Sequence, residues 1–264
     1  MGDQSANASI VLIGTGNAAA VLGRLMRDRG HQIMQVWGRS VPEAHHLAAE
    51  LDAVHLRDLA GINHKAAFVV LAVSDDAIPL VVDQLPPLSS ILVHTAGSVP
   101  AAVLQKASPH YGVLYPLQSL RKNQPEIPPI PFLVQGSDHR VEHQLRAFAR
   151  SLSGMVSHAA DEDRRILHLG AVFTANFTNH LCTLADDYLR DKQLDFRFLL
   201  PLLSETIARM ESGMPAQWQT GPAIRGDQAT QEKHLAMLGG QPDMQAIYSL
   251  LSASIHRYHQ DHTA

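Results

Sequence analysis

The residues best suited to hold a ligand stand near the N-terminus. Gly14-Thr15-Gly16-Asn17-Ala18-Ala19 follows the apolar run SIVLIG (9–14) and leads into a helix-compatible stretch, Ala18–Arg29. A GxGxxA turn between a strand and a helix lets backbone approach a pyrophosphate, with free N–H groups and the positive end of the helix dipole facing the anion. Without a ligand, the same glycines serve only a tight turn. The second apolar run, QIMQVW (32–37), ends at Trp37-Gly38-Arg39-Ser40, where NAD-binding versions of this turn place an acid for the ribose hydroxyls. Arg39 and Ser40 instead suit a 2′-phosphate through charge-assisted hydrogen bonds, so the expected cofactor is NADP. The loops at Ser74, Thr95 and Tyr115 to Gln118 fall after later strands, at the sheet edge where open α/β sheets bind ligands. That places Ser74 and Thr95 near the nicotinamide half of the cofactor, although turn and cap chemistry accounts equally well for Ser74, Asp75 and Ser98.

Proton-transferring groups gather further on. No Asp, Glu, Lys or Arg occurs from Ile166 to Ala185, and on an α-helix His168, Val172, Asn176, Asn179, His180 and Thr183 share one face. A helix so poor in charge is expected to be buried on most sides. Its polar stripe must then face a cleft or pair within a helix–helix or dimer interface. A second cluster comprises Thr220-Gly221-Pro222, Arg225-Gly226-Asp227 and His234. Arg225 can bind a carboxylate bidentately, and His234 and Asp227 are reserve acid/base groups. Asp227 serves equally well as the cap of the helix that follows it. The pairs His139/His143 and His256/His259/His262 have metal-compatible spacing, but no HExxH or supporting acid accompanies them, so no metal is assigned.

The elements that must position these groups follow from periodicity. Eight short apolar runs, at 9–14, 32–37, 53–56, 67–73, 90–96, 111–116, 132–136 and 155–159, alternate with helical stretches. Several are apolar on both faces, as buried parallel strands are. After residue 160 the strands stop. A helix capped by Asp161 is expected to run to Lys192, followed by helices over 196–211, 228–238 and 242–260. The fold class is therefore α/β, with a Rossmann-type parallel sheet domain over 1–160 and an all-helical substrate and dimerisation domain over 161–264. The 264 residues carry a net charge of -4, which gives no footprint for nucleic acid. Neither a targeting segment nor a membrane span is expected, and the single Cys182 suits a reducing cytoplasm.

The segments IGTGNAAAVL (13–22), WGRS (37–40), AVSDDAI (72–78), HTAGS (94–98), YPLQSL (115–120), HLGAVFTANFTNHL (168–181) and TGPAIRGDQATQEKHLAML (220–238) carry a full-length resemblance. The chain resembles a family of bacterial Rossmann-like NADP oxidoreductases whose C-terminal helical domain has no assigned function. It is more distantly similar to ketopantoate reductases, pyrroline-carboxylate reductases and 3-hydroxyacid dehydrogenases. The resemblance implies a homodimer that reduces a small oxo acid of ketopantoate type, or an imine acid, in a cleft between the two domains. The wider group often places a Lys on the long helix one turn before an Asn. Here Val172 precedes Asn176, and no Lys occurs between Lys122 and Lys192, so His168 becomes the expected proton donor, with Asn176 orienting the substrate. A non-catalytic protein that responds to NADP(H) is the competing reading.

Overall fold

The computed structural model describes residues 7–262. Each of the eight apolar runs forms a strand, some trimmed at their ends: β1 (Ser9–Ile13), β2 (Gln32–Trp37), β3 (Val54–His55), β4 (Phe68–Leu71), β5 (Ile91–His94), β6 (Tyr111–Pro116), β7 (Phe132–Gly136) and β8 (Val156–His158). They form one sheet in the order β3-β2-β1-β4-β5-β6-β7-β8. Every pairing is parallel except β6 with β7. The strand order reverses between β1 and β4, and the Gly14–Ala19 turn leaves β1 at that switch point, the place where open α/β sheets take ligands.

Both faces of the sheet are covered, which is why its central strands are apolar throughout. Ile10, Leu12, Val70, Val93 and Leu114 point to one core, against α1 (Asn17–Asp28), α2 (Val41–Glu50) and α4 (His139–Leu152). Alternate residues Val11, Ile13, Val69, Leu71 and Leu92 point to the other, against α3 (Ala77–Val82) and the 3-10 turns at Leu59–Gly61 and Ala101–Leu104. After β8 the described residues hold only helices and loops. These are α5 (Asp161–Ala171), a π-helical segment (Val172–Phe177), α6 (Thr178–Asp191), α7 (Leu200–Ser212), α8 (Gln228–Met237) and α9 (Pro242–His262). The chain divides into two compact units, one ending at Asn176 and one beginning at Phe177. Among the described residues no helix is long and apolar enough to cross a membrane.

Three sequence expectations for the long helix need correction. Ala160, not Asp161, occupies the cap position. The Asp161 side chain is committed elsewhere, accepting from the distant Ala101 N–H at 3.1 Å and, within its own helix, from Arg164 at 2.8 Å. The π segment then interrupts the α-helix with wider turns, so one α-helical wheel does not describe His168 through Thr183. Finally, the charge-free stretch is not buried within one chain: Ile166, Leu169 and Phe173 are 62%, 59% and 60% exposed.

Arg164 is the largest fully buried side chain. Its guanidinium donates to Gln135 on β7 at 2.9 Å, to the Val99 carbonyl at 2.5 Å and to Asp161 at 2.8 Å. Of its three nitrogens only Nε lacks a partner among the described residues; a buried cation persists only when most of its donors are met, and removing one member of such a set leaves the others desolvated and unpaired. Arg164→Ala is therefore expected to lower the unfolding free energy by about 3–5 kcal/mol in urea titration, whereas a loss below about 1 kcal/mol would contradict this role.

Candidate functional site

The two glycines of the turn do different work. Gly14 has φ +127°, and a Cβ there would lie 2.2 Å from the Ala72 carbonyl oxygen, so no side chain fits. Its N–H donates to the Trp37 carbonyl at 2.7 Å, and fully buried Ala19 packs beneath it. Around Gly16 the space is open instead: a Cβ would meet nothing within 4 Å. No side chain caps the N-terminus of α1 at this point, so its first N–H groups face the open space. A bare helix N-terminus over an unfilled cradle fits the pyrophosphate of a dinucleotide. Thr15 donates to Glu43 at 3.1 Å. The exposed Asn17 accepts the Lys122 N–H at 3.1 Å, while Arg24 donates to the Lys122 carbonyl at 2.6 Å, and together these fix the loop after β6 to α1. Ala18 is half-buried in the first turn of α1. Arg39 is exposed and makes no hydrogen bond or ion pair among the described residues, and Ser40 starts α2 without using its hydroxyl as a cap. Both donors remain available to a phosphate.

Further along the same edge lie hydroxyl, phenol and imidazole groups. Buried Thr95 turns back, donating to the Leu71 carbonyl at 3.3 Å, so its hydroxyl ties β5 to β4. Ser74 is exposed, and its carbonyl accepts the Ala77 N–H. Ser98 donates to Asp75. At the end of β6, Tyr115 Oη lies 2.8 Å from Nδ1 of His168, with the rings at 66° to one another. Gly97 makes this contact possible, because a Cβ there would come 2.8 Å from His168 Nδ1 and 2.9 Å from Tyr115 Cζ. Burial pushes the Tyr115 phenol up; Asp75 adds to the shift and Arg164 opposes it. Beneath the edge, burial drives the His94 imidazole down to about 4, with Arg164 reinforcing and the Pro100 backbone, Asp161 and Asp75 opposing. His94 is thus neutral at physiological pH.

The residues singled out for chemistry fall in both units. His168 lies in the first unit beside Tyr115, and Asn176 is exposed in the π segment. In the second unit Arg225 is exposed, and Asp227 caps α8, accepting from the Thr230 N–H at 3.0 Å and the Thr230 hydroxyl at 2.8 Å. Those two bonds, aided by Arg225 and Lys233, hold the Asp227 carboxyl below its usual range. His234 is bonded through Nδ1 to Tyr248 Oη at 2.9 Å. Among the described residues no group of three or more His, Cys, Asp or Glu is placed to hold a metal ion. Sequence reasoning put Tyr115 and Gly97 at the ligand-binding edge of the sheet without giving either a role, and it passed over Arg164. Tyr115 lies within β6, near its carboxyl end.

Residues 9–96 match a family model described as NADP oxidoreductase, coenzyme F420-dependent, and residues 130–255 match a domain of unknown function (DUF2520). A comparison with curated proteins finds no match. Among solved structures, a Bacteroides fragilis protein assigned as an NADP oxidoreductase is 39% identical, with 96% of this chain and 100% of that one covered and a TM-score of 0.87. The fold also matches pyrroline-5-carboxylate reductase of Streptococcus pyogenes, with 11% identity, 95% and 99% coverage and a TM-score of 0.64. It matches an imine reductase of Myxococcus stipitatus crystallised with NADP+, with 15% identity, 96% and 95% coverage and a TM-score of 0.66. The open glycine turn, the unpaired Arg39 and the match along nearly the whole chain lead to one assignment: the protein belongs to the family of the Bacteroides NADP oxidoreductase, Rossmann-type oxidoreductases with a DUF2520 C-terminal domain.

Proposed function

We propose that this protein is an NADP-dependent reductase of a small carbonyl or imine acid, with His168 as proton donor. The observation that carries the reading is the placement of His168 against Tyr115 and Gly97, at the carboxyl edge of the sheet that also bears the open glycine turn. The N–H groups of Gly16 and Asn17 would hold the pyrophosphate, and Arg39 with Ser40 the 2′-phosphate. NADPH, when bound, supplies the hydride. The chain's own part is to place the substrate, to deliver a proton from the His168 imidazole, and to orient the accepting atom through Asn176. In the helical unit, Arg225 has the free guanidinium that a substrate carboxylate would need. The resemblance to ketopantoate and imine-acid reductases makes 2-oxo acids and cyclic imines the first substrates to try.

The same reading makes the protein a cytoplasmic homodimer. Among the described apolar residues of the second unit only Ala223 and Leu238 are buried, while Phe198, Leu202, Met214 and Leu250 are 83%, 66%, 68% and 67% exposed. A helical unit with so small a core needs a cover of matching apolar character, and a second copy of the same helices supplies one. The free, half-exposed Cys182 suits the reducing compartment where NADPH is abundant.

Three outcomes are expected. In fluorescence titrations Arg39→Ala weakens NADPH binding by about tenfold or more and leaves NADH unchanged, since one charge-assisted pair contributes about 1.5–3 kcal/mol; equal NADPH and NADH affinity in the wild type would contradict the cofactor assignment. With NADPH oxidation followed against oxo acids and cyclic imines, His168→Ala lowers kcat by about 10²–10⁴ while NADPH affinity stays nearly intact. Tight NADPH binding without turnover on any of these substrates would point instead to a nucleotide-responsive binding protein. In sedimentation the wild type runs at twice the 28.8 kDa chain mass and Phe198→Glu at the monomer mass, whereas a monomeric wild type would contradict the dimer.

A further inference from the structure

Two nitrogens of His168 are open to proton transfer in principle, but the surroundings treat them differently. Nδ1 is 2.8 Å from the Tyr115 hydroxyl, and a Cβ on Gly97 would come 2.8 Å from Nδ1 and 2.9 Å from Tyr115 Cζ, so this contact needs glycine at position 97. Tyr115 itself is only 8% exposed, whereas His168 is exposed and its ring makes no other hydrogen bond among the described residues. The bonded nitrogen is therefore the one held by the protein, and Nε2 is left open.

We infer that Tyr115 is a positioning residue that holds Nδ1 of His168 and leaves Nε2 as its sole proton-transferring nitrogen. This deepens the reductase reading and rests on it. As imidazolium, His168 donates its Nδ1–H to Tyr115 Oη and presents Nε2–H to the substrate. The Nε2–H bond breaks, and a new O–H or N–H bond forms on the electron pair freed when the carbonyl or imine carbon takes hydride from NADPH. His168 is left neutral with its remaining proton on Nδ1, still bonded to Tyr115, and solvent reprotonates Nε2. A phenol suits this task because its oxygen accepts from Nδ1–H without a charge of its own, while a carboxylate would hold the imidazolium in place. A relay in which Tyr115 gives up its own proton is disfavoured, since burial and the Asp75 carboxylate both oppose tyrosinate.

The test is nitrogen NMR of histidine-labelled holoenzyme with NADP+ bound, comparing wild type with Tyr115→Phe. Phenylalanine keeps the ring and removes only the hydroxyl, so folding and NADP+ affinity should be unchanged. The inference expects the His168 Nδ1 resonance and the tautomer ratio of the neutral ring to change. Superimposable His168 spectra in the two proteins would overturn it. This readout needs no substrate, so it stands apart from a failure of the wild type to turn over oxo acids or imines, which would count against the reductase reading alone. With a working substrate, Tyr115→Phe should lower kcat by about tenfold or more, shift the pH profile and leave KM alone; an unchanged kcat and profile would overturn the inference.

Discussion

A single buried cation fixes the helix that carries the proposed proton donor. Arg164 is fully enclosed, and a guanidinium in that position is tolerable only because three acceptors on three different segments meet it. Those segments are β7, the loop after β5 and the first turn of α5. Asp161 extends the set by taking the Ala101 N–H, so the start of α5 is bonded to the sheet edge through Asp161 and Arg164. His168 follows one helical turn after Arg164 and inherits that placement. Apolar packing could not fix it as well, because the side chains flanking His168 on α5 and in the π segment are largely exposed.

The nucleotide side depends on backbone geometry instead of charge. Gly14 must be glycine because the Ala72 carbonyl occupies the space of a side chain, and this close approach brings the ends of β1 and β4 together at the switch point. Gly16 contributes by leaving space unfilled. In the proposed reading Arg39, which has no partner among the described residues, adds with Ser40 the charge-assisted donors that a 2′-phosphate would need. The proposed cofactor and proton-donor halves would then use different physics on the same sheet edge.

What the sequence disclosed follows from that difference. The strands were legible because their double-sided burial writes an apolar run into consecutive residues, and the glycine turn because its members are neighbours in the chain. Tyr115 and His168 are 53 residues apart, and Arg164 meets its partners 29 and 65 residues away, so no local pattern announces them. Asp161 misled for a related reason: its acidic side chain at a helix start looks like a cap, but Arg164 of the same helix and the distant Ala101 N–H hold it. The π segment was hidden because periodicity analysis assumes α-helical turns. The predicted burial of the charge-free helix is not met, since Ile166, Leu169 and Phe173 are exposed, and apolar content alone does not say what covers a helix.

The account stands on the claim that His168 faces the reacting end of a cofactor held by the Gly14–Ala19 turn. A crystal structure with NADP(H) bound tests it most directly. Hydride transfer needs the substrate carbon about 3–3.5 Å from the nicotinamide C4, and proton delivery needs the accepting atom about 2.6–3.2 Å from Nε2. One carbonyl bond between them then puts C4 and His168 Nε2 no more than about 8 Å apart. Finding the nicotinamide within that distance, with the pyrophosphate over Gly16, is the predicted result. A nicotinamide well beyond that reach, or a cofactor seated away from the glycine turn, would contradict the account.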